Sequence, residues 1–210
     1  VHFSVLSAGK EEVRDQWLHK LKNDPLLKRY QQISVHFGFS TGWKLSQNAP
    51  LPMPLNALTL EAGLSNLEKL AAVVPCRIGL ENLALAFSQQ DVDQQGTFLE
   101  NLLAPFNGYL LLDIHNLYCQ SENFNVDLFD LVKLYPLDRV EEIHLSGGSW
   151  SEHRANGQTK KMRRDTHDHA VPSVLFEKLP AIIRMCPKLK YVILEQLPNA
   201  LLTDMQQQQY

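Results

Sequence analysis

The sequence is short of most features that would betray a function. Its 210 residues hold three cysteines, Cys76, Cys119 and Cys186, widely spaced and without a C-x-x-C pair. That excludes a disulfide scaffold or a cysteine-rich zinc module and fits a reducing compartment. No apolar run approaches the roughly 20 residues of a membrane span. Lys and Arg number 20 against 23 Asp and Glu, a net charge of −3, so no basic field of the kind needed by nucleic acid or an anionic membrane is present. Neither G-x-G-x-x-G after a strand nor G-x-x-x-x-G-K-[ST] occurs, which removes support from nucleotide folds. Internal repeats and composition breaks are missing too, so residues 1–210 read as one domain. The opening VHFSVLSAGK lacks the basic n-region of a signal peptide, and the expectation is a soluble, cytoplasmic protein.

What is present is alternation. Short apolar segments at 1–6, 33–37, 77–83, 109–114, 140–145 and 191–195 read as strands. Segments 11–22, 58–74, 94–103, 126–134 and 171–186 carry apolar residues at helical spacing. The proline-rich stretch 41–54 and the polar stretch 146–164 read as loops, the latter long enough to be functional. Gln206–Gln209 reads as a polar helix end. Strands such as YLLLDI and YVILE are apolar on both faces, as expected of parallel strands covered by helices or closed into a barrel.

Acids and histidines interrupt these strands in a pattern. His2 and His36 lie in the first two; Glu81 and Asn82 end the third; Asp113, His115 and Asn116 end the fourth. His144 is inside the fifth, Asp165, His167 and His169 follow in RDTHDHAV, and Glu195 ends the last. In a parallel barrel the C-terminal strand ends surround one mouth. Period-2 geometry puts Asp113 and His115 on one side of an extended strand, and likewise Asp165, His167 and His169 if that segment is extended. Taken singly, each has a plainer reading: His2 as a strand residue, Glu81 as half of an ion pair, Asp113 as a loop cap. His19 and His153 read as solvated, and Cys119 as a buried bystander. Together, several unpaired acids at strand ends would each cost kcal/mol unless a shared cation neutralised them. Carboxylate and imidazole donors suit Fe, Mn, Zn or Co.

The motifs VHFSVLSAG, ISVHFGFS, GLENLAL, LLLDIHNLY, EEIHLSGG, RDTHDHAV and ILEQLPNA occur in the order found in a bacterial family that this chain resembles. That family is the multinuclear non-heme iron-dependent oxidative enzymes, with a xylose isomerase-like TIM barrel. The resemblance implies an α/β TIM barrel lacking its first strands, because the family's barrel has about two strands before the position of His2. It makes His2, His36, Glu81, Asp113, Asn116, His144, Asp165, His167 and Glu195 candidate metal ligands, with Asp113 and Glu195 as catalytic candidates. His115 stands where Asn is commoner, Gly148 where a His is usual, and Gln196-Leu197 where Arg-Asp is frequent.

The function the resemblance implies is a metal-dependent oxidoreductase. Two or three irons would activate O2 to modify cysteine-containing ribosomal peptides, with a small leader-binding protein as possible partner. Apart from the resemblance, the loop 146–164, with Trp150, Lys160, Lys161, Arg163 and Arg164, reads either as an aid to binding an acidic peptide or as a plain solvated loop. Two alternatives stay open: a Zn, Mn or Mg isomerase or hydrolase using the same mouth, and a binding module that has lost catalysis.

Overall fold

The computed structural model describes residues 2–3, 11–39, 50–155 and 158–196. Strands β1 (His2–Phe3), β2 (Gln32–His36), β3 (Arg77–Glu81), β4 (Tyr109–Asp113) and β5 (Val140–Ser146) pair in parallel and in sequence order. Next come β6 (Trp150–Ala155) and β7 (Gln158–Arg163), which form a separate antiparallel hairpin; β8 (Tyr191–Glu195) then returns to the main sheet beside β5. Helices α1 (Glu11–Lys22), α2 (Ala57–Ala71), α3 (Gln89–Leu103), α4 (Ile114–Phe124), α5 (Leu128–Lys133) and α6 (Ser173–Met185) fall between the strands. The result is a curled, parallel half-barrel of six strands among the described residues.

Each strand sends alternate residues to two environments. Ile33 and Val35 of β2, Leu80 of β3, Leu110 and Leu112 of β4 and Ile143 of β5 are fully buried against the helices, beside Leu70 of α2 and Leu102 of α3. Each such side chain contributes about 1.5–3 kcal/mol by leaving water. The opposite set (Ser34, His36, Glu81, Tyr109, Asp113, Glu142, His144 and Ser146) is also buried, and it is mostly polar. One face of the sheet is therefore a hydrophobic core and the other a polar interior. At β8 the cover thins, and Tyr191, Val192, Ile193 and Leu194 are 40–45% exposed.

The helix starts follow their caps. Asn56 and Thr59 form a reciprocal capping box on α2, and Ser88 caps α3 from five residues earlier than the apolar spacing predicted. Two expectations are overturned. The stretch 146–164 is not a loop but mostly the β6–β7 hairpin, whose strands are too polar to show apolar alternation. The dipeptide Asn156-Gly157 between two runs was the available signal. Residues 114–124 form a helix that periodicity missed, because His115, Asn116 and Gln120 are buried along with Ile114, Leu117 and Cys119. Asp113 and His115 therefore do not share a strand face. Most of the 41–54 stretch and the Gln206–Gln209 run lie outside the described residues. No helix among the described residues is long and apolar enough to cross a membrane.

Candidate metal centre

The site is built where β4 turns into α4. Asp113 is both the last residue of the strand and the N-cap of the helix, its Oδ1 accepting the Asn116 N–H at 2.7 Å. Capping fixes the carboxylate so that Oδ2 is turned into the polar interior. That oxygen is buried and has no hydrogen-bond partner among the described residues. Glu81 ends β3 and His144 stands on β5 directly across from Asp113 in register. Glu81, Asp113 and His144 each offer one ligand atom, all within 4.8 Å of one another and all buried. Asn116, in the first turn of α4, holds Glu81 by donating from Nδ2 to Oε1 at 3.2 Å and to the Asn82 carbonyl at 2.9 Å. Asn82 in turn exchanges two hydrogen bonds with the Asp113 backbone. His36 approaches the other Glu81 oxygen, Nε2 to Oε2 at 3.4 Å.

A second group adjoins this triad. The His144 ring lies between two carboxylates, Nε2 2.9 Å from Glu142 Oε1 and Nδ1 3.2 Å from Glu195 Oε1. His167 spans Asp165 and Glu195, Nε2 at 3.0 Å from Asp165 Oδ2 and Nδ1 at 3.8 Å from Glu195 Oε2. Asp165 Oδ1 accepts the Ser146 hydroxyl at 2.9 Å and faces His115 Nδ1 at 2.9 Å. His167 reaches this position from a left-handed backbone, φ 55°, a conformation that costs energy in a residue with a Cβ. Its N–H is tied to the Gly147 carbonyl at 2.9 Å.

Negative charge is crowded here, and protons compensate for it. Burial, and then the charge of Asp113, pushes the Glu81 carboxyl well above its ordinary range. Burial and the Asp165 charge push Asp113 up to about 7. Burial works against a charged His144, yet its hydrogen bonds to Glu142 and Glu195 push it up to about 9. His167 is likewise raised to about 9, burial being outweighed by Asp165. Burial raises Asp165 and Glu142 as well, but their histidine partners hold both carboxyls below the usual range. Without a cation, protons on Glu81, His144 and His167 offset part of the cluster's negative charge. A metal ion would displace those protons, as metal binding to such donors does generally.

Of the residues expected at the mouth, His36, Glu81, Asp113, Asn116, His144, Asp165, His167 and Glu195 come together in one connected cluster. His2 lies on β1, but its side chain is outside the described residues. His169 does not converge: it is 58% exposed at the side chain and pairs with Asp168. His19 is exposed, and Cys119 is buried with its thiol pushed up by that burial. Sequence reasoning missed Glu142 and Ser146. Period 2 on β5 would have found them, because Glu142, His144 and Ser146 share one strand face. Arg163, expected among the peptide-binding cations of 146–164, is instead buried, 7% exposed, and donates to His115 Nε2 at 3.2 Å.

Comparisons with known proteins agree on family and fold. Residues 1–200 match the family model described as RiPP precursor modification enzyme MbnB/TglH/ChrH. Among curated relatives, a UPF0276 protein of Rhizobium meliloti is 25% identical over 190 residues, covering 89% of this chain and 60% of the relative. One from Caulobacter vibrioides is 28% identical over 180 residues, covering 82% of this chain and 59% of the relative. Another, from Acaryochloris marina, is 32% identical over 160 residues, covering 73% and 56%. The chain thus spans about three-fifths of the length of the curated relatives it matches. A crystal structure of a xylose isomerase-like TIM barrel protein from Mycobacterium smegmatis, in complex with magnesium, superposes with a TM-score of 0.52 at 12% identity. That likeness covers 92% of this chain and 65% of the other, and it places this half-barrel in the xylose isomerase-like TIM-barrel fold.

Proposed function

The chain belongs to the MbnB/TglH/ChrH family of RiPP precursor modification enzymes, and from that premise we propose that its carboxylate–histidine mouth is a metal centre for oxidative modification of a cysteine-containing ribosomal peptide with O2. The observation that carries this reading is the buried triad Glu81, Asp113 and His144, with Asp113 Oδ2 lacking any partner among the described residues. A lone buried carboxylate oxygen beside another buried acid is costly unless a cation takes it up. The donor set fits such an ion: oxygen and imidazole nitrogen without thiolate, which suits iron or manganese. Asp165, His167 and Glu195 would hold a neighbouring ion, and Glu195 is placed to serve both groups through His144 and His167.

Iron bound there, in two or three ions, would supply O2 activation and one-electron chemistry. The chain's own residues do the rest. The backbone of α4 and Asn116 fix the Asp113 and Glu81 carboxylates; Glu142 holds the proton on His144 Nε2 and so leaves Nδ1 to face the mouth. Asp113 and Glu195 would be the groups to take up the proton of a substrate thiol. The hairpin carries the exposed cations Arg154, Lys160 and Lys161, the last paired with Glu152 at 3.4 Å, with Arg164 just beyond it; on its two faces these would suit an acidic segment of the peptide or of a leader-binding partner.

The test is elemental analysis of protein purified anaerobically from iron-supplemented cells, beside Asp113→Asn. Two or more irons per chain, lost in the variant, support the reading. Zinc, manganese or magnesium alone would favour a non-redox isomerase or hydrolase, the reading for which the magnesium-bound barrel neighbour speaks. Unchanged metal content in Asp113→Asn would overturn the assigned centre.

A further inference from the structure

The β6–β7 hairpin has one edge covered and one open. On the covered side, Asn123 of α4 stands where a third strand would, its Oδ1 accepting the Arg163 N–H at 2.7 Å and its Nδ2 donating to the Arg163 carbonyl at 3.0 Å. The Arg163 guanidinium also lies over the Tyr118 ring of the same helix, 5.5 Å from its centroid. Because both backbone groups of Arg163 face α4, the opposed pair Trp150–Arg163 is one that exchanges no hydrogen bonds. The neighbouring bond from the Arg164 N–H to the Ser149 carbonyl, at 2.9 Å, fits that alternation. Period 2 then makes Glu152–Lys161 and Arg154–Thr159 pairs of the same kind. The backbone N–H and C=O groups of Trp150, Glu152 and Arg154 therefore all point away from β7. Among the described residues they meet no strand and no backbone partner.

Such an edge is a template for another extended chain, and its surroundings select the charge of that chain. Residues 150–164 hold five cations against one acid, Glu152, in a chain whose net charge is −3. Glu152 pairs with Lys161 at 3.4 Å, which leaves Arg154, Lys160 and Arg164 without a salt bridge among the described residues. Two copies of so cationic an element repel each other, whereas an acidic segment is drawn to it. The base of the hairpin adjoins the metal centre: β6 starts shortly after Ser146 and β7 ends shortly before Asp165, two residues joined there at 2.9 Å. A partner strand along the six residues of β6, about 20 Å, thus ends beside the mouth. We propose that β6 is the docking edge for the substrate peptide. An extended, acidic segment of that peptide adds as a third strand through the backbone groups of Trp150, Glu152 and Arg154, and its continuation past Trp150 enters the mouth. Main-chain bonds hold the segment in place, and the surrounding cations select its charge. This inference rests on the peptide-modifying reading above, but its readout needs no metal.

The experiment uses the full chain with a chelator present and, as probe, a short synthetic peptide of alternating Glu and Thr ending in one Cys. On titration, nitrogen-15 NMR should show the amides of Trp150, Glu152 and Arg154 shifted and protected from exchange. Those of Ser151 and His153, which face β7, should be protected with or without the peptide. Glu152→Pro removes one outward donor and no β6–β7 bond, a position where an edge strand tolerates proline. It should weaken binding about 10-fold, the scale of one or two lost strand hydrogen bonds, whereas Glu152→Ala should bind at least as tightly as wild type. The same probe N-methylated at every residue keeps its charge and should bind at least 10-fold more weakly. Equal binding of that probe would mean plain charge attraction and overturns the proposal, even where Glu152→Pro does not fold. So does no binding to wild type, or unchanged affinity in a folded Glu152→Pro. Protection of the β6 amides that grows with protein concentration and needs no peptide would make the occupant a second copy, and overturns it too. Metal content separates the two failures: a chain that binds the probe but holds no metal loses the metal-centre reading alone, and one that holds metal but ignores the probe loses the docking edge alone.

Discussion

Replacing Asp113 by Asn should weaken metal binding and yet stabilise the metal-free protein. Asparagine caps a helix about as well as aspartate, so the bond to the Asn116 N–H survives and α4 keeps its start. What disappears is a buried negative charge beside Glu81, Asp165 and Glu195. The free Asp113 carboxyl is pushed from 3.8 up to about 7. An acid whose folded value is raised costs nothing below its unfolded value. Its penalty grows as pH rises from about 4 to 7 and is complete above that. The difference corresponds to a ceiling of roughly 4 kcal/mol at 1.36 kcal/mol per pKa unit. Protons on Glu81 and His144 already absorb part of the repulsion, so a gain of about 1–3 kcal/mol is expected at pH 8.

Urea unfolding with a chelator, at pH 4.5 and at pH 8, measures this directly. The variant's advantage should be small at the acid pH, just above the unfolded value of 3.8, and largest at pH 8. Adding Mn2+ at a hundred times its Kd should stabilise wild type by about 2.7 kcal/mol and the variant by less than a third of that. A variant less stable than wild type at pH 8 without metal would refute the electrostatic reasoning. Full stabilisation of the variant by Mn2+ would refute the assignment of Asp113 as a ligand.

Glu142→Gln should lower Co2+ affinity by about 10–100-fold while the chain stays folded, because the amide can no longer hold the His144 Nε2 proton as an anion does; titration followed by cobalt absorbance checks it, and equal affinity would remove Glu142 from the site. Glu141→Ala strips the buried carboxylate that pairs with Arg77 and with Lys190 at 2.7 Å, at the opposite end of β5 from the mouth. The loss should be about 1–3 kcal/mol near neutral pH, discounted because both cations are partly exposed. Its partners hold Glu141 below the ordinary carboxylate range against the upward pull of burial, so the difference between variant and wild type should shrink as pH falls below about 4. Gly79→Ala would place a Cβ within the Tyr109 ring, and thermal unfolding should show a loss of about 1–3 kcal/mol from overpacking.

How much of this was legible in the sequence depends on which physical signal each residue carries. The strands were legible because YLLLD and YVILE are apolar on both faces, and the acids ending them stood out against that background. Helix α4 was hidden by the chemistry of the site itself: its buried face carries His115, Asn116 and Gln120, so the segment that builds the centre does not look amphipathic. The hairpin was hidden for the opposite reason, since both of its strands are polar. Glu142 and Ser146 were visible in principle, two residues either side of His144. No local pattern could show that Arg163 meets His115 across 48 residues of chain, because that pairing exists only once the hairpin packs on α4.

Two of the departures from the family pattern are also explained by position. Gly148 stands where the family usually has a His, and His115 where it usually has an Asn. A Cβ at Gly148 would run into the Arg164 carbonyl and lie 2.9 Å from His115 Cε1. A side chain at 148 and the observed His115 ring therefore compete for one space. The imidazole delivered from α4 occupies what a residue after the β5 turn would otherwise fill, and glycine is what permits it. Gly148→Ala should then displace His115 from Asp165 and weaken Co2+ binding about as much as His115→Asn does, with little further loss when the two are combined. Additive losses in the double variant would mean that the two positions act independently, and the shared-space argument would fail.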